Sequence, residues 1–197
     1  MEDSEDSRQR FVREATILGT LEHPNIVPIH ELGQAEDGRV FYTMKHVKGR
    51  TLSEILSAIN KGDEATIKHY TLERLLTVFG RVCDAIAFTH FNGIVHRDLK
   101  PDNIMVGEFG EVLVMDWGIA KIIGDHAQAT EEAARSGSSA SLENVAGNLT
   151  LDGSVVGSPQ YMSPEQARGQ TADIDAQADV FSLGGMLYSI LVLRPPP

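Results

Sequence analysis

The hydrophobic positions of this chain change period several times, and each period predicts a different element. The clearest stretch is 71–92, where apolar residues from Leu72 to Ala87 recur at intervals of three and four. That spacing gathers the apolar side chains on one face, so it predicts a long amphipathic helix. Asn92 and Gly93 follow the last apolar turn and predict the end of the helix.

Shorter patterns lie on both sides of this helix. Residues 4–22 predict a first amphipathic helix, which ends before Pro24. The extended segments 26–34 and 40–46 flank a turn at 36–38, and together they predict a β-hairpin. The polar stretch 60–70 predicts a connection without an element of its own. The remaining patterns predict a short helix at 51–60, strand pieces at 103–106 and 111–115, and an apolar helix at 176–193.

Residues 124–154 differ from the rest of the chain. They are rich in Ala, Ser, Gly and Glu and contain no aromatic residue. A loop of this length inside a compact domain is usually functional or disordered, so we expect a flexible insertion here.

Composition narrows the class of protein. The 197 residues carry 17 Lys and Arg against 28 Asp and Glu, a net charge of -11, and no basic stripe that would predict binding to nucleic acid. The single cysteine, Cys83, cannot form an internal disulfide, and this favours a reducing, cytoplasmic compartment. Cys83 itself is expected in the core. The N-terminus lacks an apolar signal sequence. The apolar run 180–193 is shorter than the about 18 residues of a membrane span and predicts a buried helix.

Three motifs occur in order along the second half of the chain. HRDLKPDN occupies 96–103, DWG occupies 116–118, and GSPQYMSPE occupies 157–165. They resemble the catalytic loop, the D-F-G motif and the A-P-E segment of protein kinases. YMSPEQA at 161–167 and DWGIAK at 116–121 are similar to bacterial kinases of the eukaryotic type.

This resemblance covers nearly the whole chain and implies its fold class. We expect an α+β, protein kinase-like two-lobed fold that is incomplete. Residues 1–47 would form a partial N-lobe with the family's αC helix, a β-hairpin and the hinge. Residues 48–197 would form a mainly helical C-lobe that ends after the family's αF helix and contains the insertion 124–154.

The resemblance also implies an activity, transfer of the ATP γ-phosphate to Ser or Thr hydroxyls of a protein. Phosphoryl transfer needs alignment and charge neutralisation more than covalent help. Asp98 would accept the proton of the substrate hydroxyl, and Lys100, typical of serine/threonine kinases, would contact the transferred phosphate. Asn103 and Asp116 would supply oxygen ligands to Mg²⁺. The alternative, an Asp and an Asn that only stabilise turns, does not explain the whole motif.

Other residues take supporting roles by the same resemblance. Met44 would be the gatekeeper, Lys45 to Val47 the hinge against the adenine, and Met105 would pack beneath the ring. Trp117 replaces the family's usual Phe and is interpreted as a tolerated variant. The remaining assignments are Glu14 as partner of the phosphate-binding lysine; His96, Trp117, Leu18 and Ile29 as the regulatory spine; Gly118 within DWG; Ser158 as hydroxyl partner of Asp98 and Lys100; Glu165 as partner of a later arginine; and Asp179 as buried acceptor for the catalytic-loop backbone.

Regulation is expected through the segment before GSPQYMSPE. Arg97 can receive a phosphate by bidentate pairing, and Thr150 and Ser154 are the candidate acceptors. An unmodified linker is the alternative, and the absence of phosphate at both residues after incubation of the full-length kinase with MgATP would favour it.

The N-terminal part contains neither of the two phosphate-binding features that the resemblance implies. No G-x-G-x-x-G precedes Glu14, and the first lysine is Lys45. We therefore expect a partial sequence that is inactive alone and either poorly soluble or dependent on a partner. A monodisperse chain with one sharp unfolding transition would contradict the second expectation. The alternative is a non-catalytic pseudokinase or scaffold that binds a protein partner.

Overall fold

A computed structural model describes residues 21–35, 39–117, 120–122, 159–170 and 173–197, together with Ala15 and Gly19, both helical. The predicted insertion 124–154 lies outside this part, as do Glu14, Leu18, Gly118, Thr150, Ser154 and Ser158. In chain order the elements are strands β1 (Ile29–Gln34), β2 (Val40–Met44) and β3 (Gly49–Thr51); helices α1 (Leu52–Asn60), α2 (Glu64–His69) and α3 (Leu72–Phe91); strands β4 (Ile94–Val95), β5 (Ile104–Gly107), β6 (Val112–Val114) and β7 (Lys121–Ile122); and helices α4 (Pro164–Ala167) and α5 (Ala176–Val192).

The predicted hairpin is confirmed, although both of its strands are shorter than expected. β1 and β2 pair antiparallel, with Ile29 opposite Met44. Ile26 instead forms an isolated parallel bridge with Val114, and the Val114 N–H donates to the Asn25 carbonyl over 2.8 Å. Pro28 lies between the two pairings and has no N–H to donate, so the strand begins after it. Residues 25–26 therefore join the hairpin to the sheet that carries the site.

That sheet has the order β3-β5-β6 and is antiparallel throughout. β3 approaches β5 closely at Gly49, where an added Cβ would lie 2.2 Å from the carbonyl oxygen of Val106. Only glycine fits there, because any side chain would overlap the neighbouring strand. The two-residue strands β4 and β7 form a separate antiparallel pair on either side of the site motifs. Neither β3, β4 nor β7 was predicted, since two or three residues show no period.

The long helix and the last helix are confirmed to within one residue at each end. Thr71 caps α3 by accepting a hydrogen bond from the Arg74 N–H. The helix ends at Asn92, and Gly93 follows at φ 69°, a left-handed conformation that favours glycine. α5 begins after Asp175 and packs against α3. None of the described helices is long and apolar enough to cross a membrane.

The prediction that 60–70 is only a connection was wrong, because α2 lies inside it. The Asp63 carboxylate caps α2 and accepts a hydrogen bond from the Thr66 N–H at 2.7 Å. Thr66 is the only buried residue of this six-residue helix, so no apolar period could have predicted it. Local capping forms the helix instead.

One hydrophobic core joins α1, α3, α5 and the β3-β5-β6 sheet. It contains Ile55, Val82, Ile104 and the fully buried Trp117. Cys83, expected in the core, is only half-buried, and desolvation raises the pKa of its thiol. The 96–103 loop leaves β4 and enters β5, so both of its ends are attached to this core.

Candidate active site

Three of the predicted catalytic side chains meet within the 96–103 loop. Oδ2 of Asp98 accepts a hydrogen bond from Lys100 Nζ at 2.7 Å and another from Asn103 Nδ2 at 3.2 Å. Asn103 Nδ2 also donates to the Asp98 backbone carbonyl at 2.8 Å. The loop turns back on itself through the one-turn 3₁₀ helix Pro101–Asn103, which places Asn103 beside Asp98. In this structure Lys100 contacts Asp98, and its predicted contact with a phosphate stays a prediction.

Asp116 is brought to the same end of the sheet by strand pairing. Ile104 pairs with Val114, and the Met115 N–H donates to the Asn103 carbonyl at 2.9 Å. Asp116 directly follows Met115 and therefore lies close to Asn103. It is exposed and has φ 61°, a conformation uncommon for a residue other than glycine.

The donor set of Asn103 and Asp116 fits a magnesium ion bound together with phosphate. Because the Asn103 amide nitrogen faces Asp98, the amide oxygen faces away from it. Amide and carboxylate oxygens are ligands that Mg²⁺ prefers, and the ion usually takes one or two protein ligands plus phosphate and water oxygens. Within the described ranges, no group of three or more His, Cys, Asp or Glu could hold a metal ion. Asn103 and Asp116 match the number of protein ligands that Mg²⁺ usually takes beside phosphate and water.

His96 is fully buried, and its two ring nitrogens have different partners. Nε2 lies 3.1 Å from the Met115 carbonyl oxygen, and the Asp98 N–H donates to Nδ1 over 3.3 Å. A carbonyl only accepts and an N–H only donates, so the ring is neutral with its proton on Nε2. Desolvation lowers the pKa of His96, which agrees with this state. The ring also packs on Trp117, with centroids 4.5 Å apart.

The fully buried carboxylate of Asp179, in the first turn of α5, holds the start of the loop. Its Oδ2 accepts from the His96 N–H and its Oδ1 from the Arg97 N–H, each at 2.9 Å. Nε2 of His90, in the last turn of α3, lies 2.7 Å from Oδ2. Arg97 itself has φ 73°. The carboxylate thus has partners on both of its oxygens, as a buried charge requires.

The predicted adenine-binding residues lie at the junction of the hairpin and the main sheet. The Lys45 N–H donates to the Pro28 carbonyl at 3.3 Å, which ties the segment after β2 to the chain before β1. Val47 and Met105 are half-buried, and Met105 pairs with Thr51 and Leu113 within the sheet. Their roles toward a nucleotide stay predictions.

The sequence analysis missed two side-chain contacts that hold the 96–103 loop and its partner Asp179. One is His90 against Asp179, described above. The other is Gln166 of α4, 4% exposed, whose Nε2 donates to the Arg97 carbonyl at 2.7 Å. The spacing S-x-x-Q from Ser163 could have predicted the local capping bond of Gln166 but not its contact with a residue 69 positions away. Glu165 is half-buried in the same helix.

Comparison with known proteins places the chain among kinases. The family model described as protein kinase domain matches residues 1–197. The chain is 39% identical over 193 residues to serine/threonine-protein kinase PknD of Protochlamydia amoebophila, covering 96% of this chain and 19% of that protein. It is 35% identical over 200 residues to PknD of Chlamydia caviae, covering 100% of this chain and 21% of that protein. The chain thus spans about a fifth of the length of these curated relatives.

Proposed function

The chain belongs to the protein kinase domain family, and from this premise we propose that the protein that carries it transfers the γ-phosphate of ATP to Ser or Thr hydroxyls of a protein substrate. Its relatives carry the name serine/threonine-protein kinase. Lys100, two residues after Asp98, is the feature typical of that specificity. The identity of the protein substrate lies beyond this proposal.

One observation carries the proposal: Lys100 and Asn103 both donate hydrogen bonds to Asp98 Oδ2. Asp116 lies near them, because the preceding residue, Met115, donates its backbone N–H to the Asn103 carbonyl. Nothing in helix or sheet formation requires a carboxylate, an ammonium and an amide to be gathered in this way. An acceptor for the hydroxyl proton, a positive charge and a magnesium ligand are groups that phosphoryl transfer uses.

The roles follow from the hydrogen-bonding capacities of these side chains. Asp98 is an acceptor that can orient the substrate hydroxyl and receive its proton as the oxygen attacks phosphorus. The Lys100 ammonium lies 2.7 Å from Asp98 Oδ2. A substrate hydroxyl bound to Asp98 would therefore bring the phosphoryl group close to this positive charge, which would stabilise the negative charge on it. Asn103 and Asp116 would hold Mg²⁺, which neutralises charge on the phosphate oxygens when bound. The backbone of Lys45 to Val47 would pair with the adenine, above Met105.

Asp98→Asn tests the proposal. The amide keeps the size of the side chain but cannot take a proton, so kcat should fall by at least about 100-fold, the lower range of general-base losses. The measurement is transfer of labelled γ-phosphate from MgATP to a generic acceptor protein such as casein. The assay uses the longest in-frame protein of the gene, and residues 1–197 alone are expected to be inactive.

Asp102→Asn is the matched control, because Asp102 is exposed in the same loop. It should keep its activity. If the unaltered full-length protein transfers no phosphate, or if Asp98→Asn transfers it as fast, the proposal is wrong. A non-catalytic scaffold would then be the better description.

A further inference from the structure

Gln166 links the short helix α4 to the catalytic loop. Its Oε1 lies 3.2 Å from the Ser163 backbone nitrogen and 3.1 Å from Ser163 Oγ, both of which donate to it. Those bonds fix the amide plane and direct Nε2 to the Arg97 carbonyl at 2.7 Å. Ser163 and Gln166 are 1% and 4% exposed, so water does not compete for these bonds.

The peptide groups on both sides of Arg97 are therefore held by buried side chains. Asp179 accepts the Arg97 N–H at 2.9 Å, and Gln166 donates to the Arg97 C=O at 2.7 Å. The φ of 73° between these groups is a conformation that an arginine rarely adopts without support. The next residue is Asp98, whose position follows directly from the orientation of that carbonyl.

We propose that Gln166 is a positioning residue for the proposed base Asp98. It acts through the Arg97 carbonyl, which it holds in the orientation that keeps the Asp98 carboxylate beside Lys100 and Asn103. The proposal rests on the proposed kinase function. It assigns to α4 a part in the chemical step, in addition to any part in packing.

Gln166→Glu separates this role from packing. Glutamate has nearly the same size and keeps an acceptor oxygen for Ser163, but once ionised it cannot donate to the Arg97 carbonyl. Because burial raises the pKa of a carboxyl group, the variant is assayed at about pH 9. We expect kcat to fall about tenfold or more, while KM for ATP stays within about twofold, because a small misplacement of a catalytic group affects the chemical step. Gln170→Glu makes the same chemical change at an exposed position four residues later and should leave both parameters unchanged.

Hydrogen–deuterium exchange gives a second measurement that does not depend on activity. The amides of His96, Arg97 and Asp98 are all hydrogen-bonded in the native loop. Gln166→Glu should raise their exchange rate about tenfold or more, while the amides of α3 keep their protection. A role in packing alone would lower protection throughout the chain or leave the loop unaffected.

The two proposals fail in different ways. An unaltered full-length protein that transfers no phosphate rejects the kinase function, and the exchange of the 96–98 amides in Gln166→Glu then decides the role of Gln166. If those amides keep their native exchange, or if an active Gln166→Glu keeps its kcat, Gln166 does not position the loop.

Discussion

His96 shows how a single residue in the interior meets two opposite requirements. Its ring must remain neutral, because Nδ1 accepts the Asp98 N–H while Nε2 faces the Met115 carbonyl. The carboxylates of Asp179, Asp98 and Asp116 favour the protonated ring, but the loss of solvent outweighs them and the pKa is lowered from 6.5. The unfolded chain therefore binds this proton at a higher pH than the folded chain does.

We expect a pH dependence of stability from this difference. The contribution of His96 is complete above pH 6.5 and is lost as the pH falls from 6.5 towards the lower folded pKa, since protonation then favours the unfolded state. The slope is at most about 1.4 kcal/mol per pH unit. Urea unfolding at pH 7.5 and 5.5 measures it.

His96→Gln removes the titrating ring and should lose less stability between these two pH values than the unaltered chain. His30→Gln, at an exposed position in β1, is the control and should lose as much as the unaltered chain. Equal losses in His96→Gln and the unaltered chain would contradict the assignment of the pH effect to His96.

At the scale of elements, α5 does more than fill the core. Its first turn carries Asp179, which joins α5 to the 96–103 loop through two backbone bonds and to α3 through His90. α4 reaches the same loop through Gln166. The loop thus has little regular structure of its own but is held by side chains of two helices, α5 and α4, while His90 of α3 holds Asp179.

Asp179→Ala should reveal how much stability this junction contributes. The substitution leaves the His96 and Arg97 N–H groups buried without an acceptor, so the free energy of unfolding should fall by about 3 to 5 kcal/mol. Chemical denaturation followed by far-UV circular dichroism measures the change. Asp173→Ala, at an exposed position just before α5, should stay within about 0.5 kcal/mol. A change in Asp179→Ala no larger than in this control would show that the junction contributes little.

For the molecule as a whole, Trp117 joins the site to the main core. It is the only tryptophan of the chain and is 0% exposed. Its Nε1 donates to the Val114 carbonyl at 3.3 Å, and its ring packs on His96. A residue next to the proposed magnesium ligand Asp116 is thus part of the same core as α1 and α3.

Trp117→Ala should lower the free energy of unfolding by about 3 to 5 kcal/mol, because the loss of a large ring leaves a cavity that the surroundings cannot fill. Trp117→Phe keeps most of the ring and should cost less than half as much, in agreement with the family's usual Phe. Unfolding is followed by far-UV circular dichroism, since both variants lack the fluorophore. Phe109→Ala, at a position 90% exposed, is the control. If Trp117→Ala were as stable as this control, the ring would not be part of the core.

How much could be predicted depended on the length of the pattern. α3 and α5 are long enough for apolar spacing to predict them, and the hairpin has two adjacent strands with a turn between them. α2 was missed because it has a single buried residue, which cannot show a period. β4 and β7 were missed because each is only two residues long, too short for an alternating pattern. The motif residues Asp98, Lys100, Asn103 and Asp116 could be selected as candidates from their order and spacing. The contact between Lys100 and Asp98 could not be predicted, because it depends on the rotamer of each side chain.

The amino-acid sequence by itself determined the long helices, the hairpin and the residues that resemble a kinase catalytic loop, because periodicity and motif order are local properties of a chain. Only the tertiary structure decided which distant groups hold that loop. Asp179 and Gln166 lie 82 and 69 positions from Arg97, yet both bond to its peptide groups. Such contacts form when separate helices pack together, and no pattern along the chain encodes the direction in which a buried side chain then donates or accepts.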